Sequence, residues 1–293
     1  MKKDIHSEWD PAPAGDLREI FDRKIRFVAS NSGWRHAVRL MQTGAIPLQD
    51  MNVAEVGCGT GTFALTMSLL GASVTLVDLN EKVLVNAKKI FEAYSCKADL
   101  VQADCTSPAP EKLRGKFDTV FSLGLAEHFT KEKRIRCVDF HRQLVRPGGF
   151  VYLGVPNRLS IPYWIHRAVH QLLNMWGISV EIPFSDRELM KIARTLGFEE
   201  YYVIGNSSLL KDFVIYGRGI VSALSAALPG IIRDKIREYA KKMNGVNVSS
   251  KDSLKEIRVY LSERALKSIE KTEVLKNRAA NKFSAGIILI AFK

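Results

Sequence analysis

The apolar positions Leu17, Ile20, Phe21, Ile25, Phe27 and Val28 recur at helical spacing between residue 15 and about residue 43, with a break at residues 31–34 (NSGW). This predicts two helices after a polar, Pro/Ala-rich tail at residues 1–15. The pattern then alternates. Short apolar runs predict strands at 52–57, 73–79, 98–104, 117–124, 150–156 and 199–205. Between them, longer amphipathic or capped segments predict helices at 61–71, 80–95, 130–145 and 185–198. Asn80 stands where an N-cap belongs. Ser185, with Glu188 three residues on, has the capping-box pattern. A final apolar run at 283–293 predicts a seventh strand. Strands alternating with helices imply a parallel sheet joined by right-handed crossovers. The expected class is therefore α/β, a Rossmann-like, seven-stranded, mostly parallel sheet with flanking helices.

Residues 206–282 break this rhythm. A connection of that length is uncommon unless it has its own structure or function. Amphipathic stripes predict helices at about 208–228, 230–243 and 252–279, so the segment reads as a helical insertion between the sixth and seventh strands. Charge sharpens the picture. The formal net charge is +12, and residues 206–293 hold 17 Lys/Arg against 8 Asp/Glu. A basic region favours phosphates, nucleic acid or an anionic membrane, or is a solvated helical face. The expected organisation is residues 1–45 as N-terminal helices or lid, 46–205 with 283–293 as the core, and 206–282 as a basic substrate cap.

Other features exclude whole classes. No stretch holds 18 apolar residues without a charge, so no spanning helix is expected, and the N-terminus lacks the apolar region of a signal peptide. Cys58, Cys96, Cys105 and Cys137 form no CxxC pair and no zinc spacing, and read as reduced thiols. No His pair joins a carboxylate at ligand spacing, so no metal is expected.

The stretch VAEVGCGTGTFAL at 53–65 carries the first chemistry. A strand enters a glycine-rich turn and a helix leaves it, a shape that turns backbone N–H groups toward a nucleotide. A dinucleotide turn needs G-x-G-x-x-G, but the third position here is Thr62, and no Walker lysine follows. The pattern is instead Glu55-x-Gly57-x-Gly59-x-Gly61, with Cys58 inside it. These residues resemble motif I of the class I S-adenosylmethionine-dependent methyltransferases. The likeness continues through Asp78 at the end of the second strand, Asp104 in VQAD, the run FDTVFSLGLAEHF and the run LVRPGGFVYLGVPN. It spans about residues 50–205 and the last strand.

The resemblance implies S-adenosylmethionine as cofactor. It implies that Asp78 holds the ribose hydroxyls, that Asp104 and the backbone of Cys105 lie by the adenine, and that Glu55 positions the methionine end, directly or through the backbone. Leu79 and Leu123, at the ends of the second and fourth strands, are counted with the cofactor-binding residues. Open α/β sheets bind ligands beyond the carboxyl ends of their strands at the switch in strand order, so two strand-end carboxylates should line one crevice. Two carboxylates suit hydroxyls and an amine and repel a pyrophosphate.

The acceptor should meet the loops after strands four and five. Glu127 and His128 in GLAEHF are the candidate catalytic residues, because methyl transfer needs a base only where the acceptor must lose a proton. Asn157, Tyr163 and His166 are candidate acceptor-lining residues. Tyr163, His166, Arg167 and His170 share one helical face, which is either catalytic or merely the wet side of an aromatic helix. Trp34 and His36 are candidates for a lid. The expected function is methylation of a small-molecule or lipid-like acceptor, at oxygen in preference to nitrogen or carbon. A cytoplasmic protein with peripheral contact to an anionic membrane through 206–282 is expected. The rivals are a tRNA or rRNA methyltransferase, disfavoured because aromatics such as Tyr239 and Tyr260 are sparse among the Lys/Arg of the insertion, a non-catalytic S-adenosylmethionine-binding protein, and an NAD-linked oxidoreductase.

Overall fold

The computed structural model describes residues 16–43, 46–175, 180–205, 217, 256–263 and 284–293. Seven strands form one sheet in the order β3-β2-β1-β4-β5-β7-β6. They are β1 (Asn52–Val56), β2 (Ser73–Asp78), β3 (Asp99–Gln102), β4 (Phe117–Leu123), β5 (Val145–Pro156), β6 (Glu200–Gly205) and β7 (Gly286–Phe292). Pairing is parallel from β3 through β5, and β7 runs antiparallel between β5 and β6. The strand order reverses between β1 and β4, which fixes where a ligand crevice can open.

Helices cover both faces. On one lie α1 (Leu17–Ser30), α2 (Ser32–Thr43), α3 (Thr62–Leu69) and α4 (Glu81–Ala93), whose side chains share one apolar cluster. On the other, α5 (Lys131–Leu144) and α7 (Asp186–Thr195) pack over a second. α6 (Ile161–Leu172) follows β5. The β7 run GIILIAF is apolar at successive positions because it is covered from both sides, so the two-residue alternation of a half-exposed strand is absent.

Caps behave as the local sequence dictates. Asn80 accepts from the Lys82 N–H at 3.0 Å, and Ser160 from the Tyr163 N–H at 3.3 Å. Ser185 accepts from the Glu188 N–H at 3.2 Å, but the return half of the capping box is missing. The Glu188 carboxylate instead engages Arg134 and Arg158, because Arg134 is buried and needs a counter-charge.

Several expectations are corrected. The third strand stops at Gln102 and not at residue 104, because Asp104 turns the chain by accepting from the Thr106 N–H at 2.8 Å. The fifth strand begins at Val145, so RPGG lies within an irregular strand and does not merely close the preceding helix. Arg146 there donates to Asp118 at 2.6 Å. A Cβ on Gly149 would stand 2.6 Å from the Asp118 carbonyl, so only glycine fits that approach. Trp34 and His36 are core residues of α2. The Trp34 indole donates to the Thr66 hydroxyl at 2.7 Å, and burial with Arg39 pushes the His36 pKa down to about 4, which keeps the ring neutral.

Of the insertion, residues 256–263 are helical, with Ile257 and Leu261 buried in the α1–α4 cluster and Arg26 over the Tyr260 ring. This piece packs in the core, and most of the cap expected at 206–282 lies outside the described residues. The helices expected at 208–228 and 230–243 lie outside the described residues, apart from helical Gly217. No helix among the described residues is long and apolar enough to cross a membrane.

Candidate active site

The glycine turn joins β1 to α3 beside the reversal in strand order. Gly57, Gly59 and Gly61 all have positive φ, at 64°, 51° and 63°, a region that side chains with a Cβ occupy at a cost. The Gly57 and Cys58 N–H groups both donate to the Val77 carbonyl at 2.8 and 3.3 Å, tying the turn to β2. Gly57 has a second constraint. A Cβ there would lie 2.6 Å from Leu125 Cδ1, so the loop after β4 is pressed against the turn. Gly57→Ala should therefore lower S-adenosylhomocysteine affinity at least about tenfold, the strain of positive φ alone amounting to about 1–2 kcal/mol. Adding Leu125→Ala should restore part of that loss in calorimetric titration.

Glu55 is fully buried beneath the turn, and its carboxylate accepts from the Ala64 N–H at 3.0 Å. It thus anchors the first turn of α3. Burial, with Asp78 nearby, pushes its pKa up to about 8. Asp78 ends β2 and accepts from the Gly59 N–H at 3.3 Å and the Asn80 N–H at 3.0 Å. A carboxylate has about four acceptor positions, so these two backbone donors leave room for a hydroxyl donor. Leu79 and Leu123 stay 45% and 40% exposed at the ends of β2 and β4, giving the crevice apolar walls. Cys58 is buried, and its thiol is held far above its ordinary pKa, so it serves as filler.

Asp104 lies two residues past β3. Its carboxylate accepts from the Thr106 N–H and hydroxyl, both at 2.8 Å, and these bonds hold its pKa below the ordinary value against the opposing effect of partial burial. Cys105 is buried in the same apolar cluster as Cys137. This donor set fits S-adenosylmethionine. It offers a carboxylate with spare acceptor sites for a diol, a backbone turn bare enough for close approach, and exposed apolar walls for a ring.

The loop after β4 builds the other end of the crevice. Glu127 sits in a single helical turn, Ala126–His128, and is 3% exposed. Burial pushes its pKa up to about 8, and Glu181 adds to the rise while a bond from its own backbone and Arg134 oppose it. Residues 180–182 are fastened alongside: the Ile182 N–H donates to the Glu127 carbonyl at 2.9 Å, and His128 Nδ1 lies 2.7 Å from the Val180 carbonyl. A carbonyl only accepts, so Nδ1 carries the proton and Nε2 is the basic nitrogen when the ring is neutral.

The three acceptor-side candidates part company. Tyr163 is buried and donates to Glu181 Oε1 at 3.0 Å, while Arg167 donates to the Tyr163 oxygen at 3.1 Å and to the Glu181 carbonyl at 2.8 Å. Ile182, next to Glu181, ties this segment to the Glu127 carbonyl. Asn157 is taken up by the fold: Nδ2 donates to the Ser284 carbonyl at 2.8 Å and Oδ1 accepts from the Leu159 N–H at 3.0 Å, pinning the end of β5 to the chain entering β7. His166 stacks on His170 with ring centroids 4.0 Å apart, and burial lowers its pKa. No cluster of three metal-ligating side chains occurs among the described residues.

Sequence reasoning did not single out Glu181 or Arg134. A signal existed for the first: Glu181 is the one charged residue in the run ISVEIPF. An acid within an apolar stretch is buried only with partners.

The comparisons with known proteins agree with this geometry. A family model described as a methyltransferase domain matches residues 53–149, from the glycine turn to the start of β5. The ubiquinone biosynthesis O-methyltransferase of Thiobacillus denitrificans is 31% identical over 207 residues, covering 68% of this chain and 81% of that protein. The enzyme of the same name from Dechloromonas aromatica is 36% identical over 114 residues, 39% of this chain, and the match spans about half of that protein (48%). In fold, the chain resembles an N-methyltransferase from Haemonchus contortus solved with S-adenosylhomocysteine, with a TM-score of 0.50 at 14% identity over 88% of this chain and 52% of that one. With the glycine turn and Asp78 at the strand-order reversal, the chain belongs to the class I S-adenosylmethionine-dependent methyltransferases.

Proposed function

We propose that this protein methylates a hydroxyl oxygen on a lipid-like small molecule, of the ring type processed by the quinone-pathway relatives, at a membrane surface. The observation that carries this reading is Glu127. A buried carboxyl with a pKa near 8 sits in the loop that touches the glycine turn, and its Oε2 has no hydrogen-bond partner among the described residues. A hydroxyl loses its proton as it is methylated, whereas a neutral amine can shed one afterwards. A built-in base therefore favours oxygen.

Asp78 holds the ribose, Glu55 and the three glycines seat the methionine end, and the turn after β3 with Asp104 and Cys105 flanks the adenine. When bound, S-adenosylmethionine supplies a methyl group already activated on a positive sulfonium. The chain's remaining task is alignment and removal of one proton. Glu127 receives that proton. His128, its ring oriented by the Val180 carbonyl, orders the same loop. Tyr163 and Arg167 hold the wall opposite.

The membrane part of the reading is supported by α6. Ile161, Trp164, Ile165 and Leu172 are 56%, 42%, 45% and 84% exposed, and residues 157–175 contain Arg158 and Arg167 but no acid. An amphipathic helix of this kind suits an anionic bilayer surface. The basic residues of 206–282 add charge of the same sign.

The test is turnover of a phenolic acceptor carrying an isoprenoid or acyl chain against the same phenol without it, with and without phosphatidylglycerol vesicles. The chain should raise kcat/KM at least about tenfold, an effect that burial of two methylenes would supply. Vesicles should raise it further, and Leu172→Ser should remove the vesicle effect. Equal turnover of both phenols would defeat the lipid reading.

A further inference from the structure

Helices α5 and α7 border a cavity of about 610 Å3 that none of the cofactor-site residues and no residue of α6 lines. That volume is within the range of small-molecule sites, about 300–1,000 Å3. On α5, Lys131, Arg134 and Ile135 stand at i, i+3 and i+4, and on α7, Glu188, Lys191 and Ile192 repeat the spacing, so each helix turns one face to the cavity. The lining is mostly apolar, and Ile135 stays 37% exposed within it.

The charges around it do not balance. The Glu188 carboxylate is engaged by Arg134 at 2.5 Å and by Arg158 at 3.4 Å, and that of Glu132 by Arg136 at 3.6 Å. Lys131 and Lys191 make no hydrogen bond or ion pair among the described residues. Arg134 is 5% exposed, and its Nε is a buried donor with no acceptor among the described residues. Thr130, the N-cap of α5, gives no side-chain capping bond, so the positive end of that helix is open at the same corner. Lys131 holds φ at 46°, a left-handed conformation that costs any residue with a Cβ, and strain of this kind gathers at binding positions. Apolar walls with uncommitted positive charge at one corner are complementary to a molecule that is apolar along its length and anionic at one end.

We propose that the cavity between α5 and α7 binds a free single-chain aliphatic anion, a long-chain carboxylate, as a site separate from the methyl-transfer crevice. Its chain lies against Ile135, Ile182 and Ile192, and its head meets Lys131 and Lys191. The proposal stands independently of the O-methylation reading. It also has a structural link to the crevice. The Arg134 guanidinium donates to the Ile182 carbonyl, and the Ile182 N–H donates to the Glu127 carbonyl at 2.9 Å. An occupant therefore touches the segment that fastens the loop of Glu127.

The test is calorimetric titration of the full chain with dodecanoate below its micellar concentration, which should show saturable binding of one molecule per chain. Hexanoate should bind at least about a hundredfold more weakly, because it buries fewer methylenes. Dodecyltrimethylammonium has the same chain length and a positive head, and should bind at least about tenfold more weakly than dodecanoate. Lys131→Gln combined with Lys191→Gln should lower dodecanoate affinity about tenfold, and Ile135→Asp, which sets an acid in the cavity, by at least as much. All three positions are exposed, so the variants keep the fold, which circular dichroism checks. Leu172→Ser, on the open face of α6, should change nothing. Equal affinity for the two dodecyl compounds, or unchanged dodecanoate affinity in the folded lysine and Ile135 variants, would overturn the proposal. A loss confined to Leu172→Ser would overturn it by moving the site to α6. So would the absence of saturable dodecanoate binding while the lysine variant loses affinity for phosphatidylglycerol vesicles, which would make this face a bilayer contact.

Discussion

Glu127→Gln is expected to lower kcat by about 10²–10⁴, the range supplied by a positioned base, while S-adenosylhomocysteine affinity changes little. Glutamine keeps the size of the side chain and removes only its ability to take a proton. The pH dependence follows from the direction of the shift. The ionised form is the base, and its pKa is raised from 4.5 to about 8, so native kcat/KM should climb with pH and level off above about 8. The same shift bears on stability with the opposite sense. A carboxyl whose folded pKa is raised contributes stability that is fully present below 4.5 and is lost as pH rises through about 8. Glu127→Gln cannot ionise. It should therefore melt higher than the native protein at pH 9 and show a smaller difference at pH 4, which thermal unfolding at the two pH values would reveal. A variant that is more stable and nearly inactive would identify a site where function is kept at a cost to the fold.

Asp78→Ala is expected to weaken S-adenosylhomocysteine binding by about 10²-fold, the loss of two hydrogen bonds to a charged acceptor at about 1.5 kcal/mol each. The carboxylate also ties the Gly59 and Asn80 N–H groups, so its removal would loosen the turn as well as remove the proposed ribose contact. Asp78→Asn retains an acceptor and should fall between. Calorimetric titration of the three proteins checks the order. Unchanged affinity in Asp78→Ala would remove this residue from the cofactor site.

What was legible in the sequence was local. The glycine turn, the Asn80 and Ser185 caps and the aspartate at the end of β2 depend on neighbours a few residues away, and each stands where the pattern put it. The parallel core was legible because apolar runs alternate with capped helices. What was not legible depends on contacts across the chain. Glu188 abandons its capping box for Arg134, 54 positions away. Trp34 reads as a candidate lid residue until α3 supplies Thr66 as a partner. Asp104 reads as a strand end until its own turn claims its carboxylate. Glu181 gains meaning only when residues 180–182 are laid against Glu127 by tertiary hydrogen bonds.

The most direct test of the central claim follows the methyl group itself. The protein is incubated with S-adenosylmethionine carrying a trideuterated methyl group and a lipid extract rich in hydroxylated aromatic precursors, and the products are separated and fragmented by mass spectrometry. The account predicts one or more apolar products heavier by a CD3 group in place of hydrogen, with fragments that place the label on oxygen. Label on nitrogen or carbon, or label recovered only in RNA added to the mixture, would contradict it.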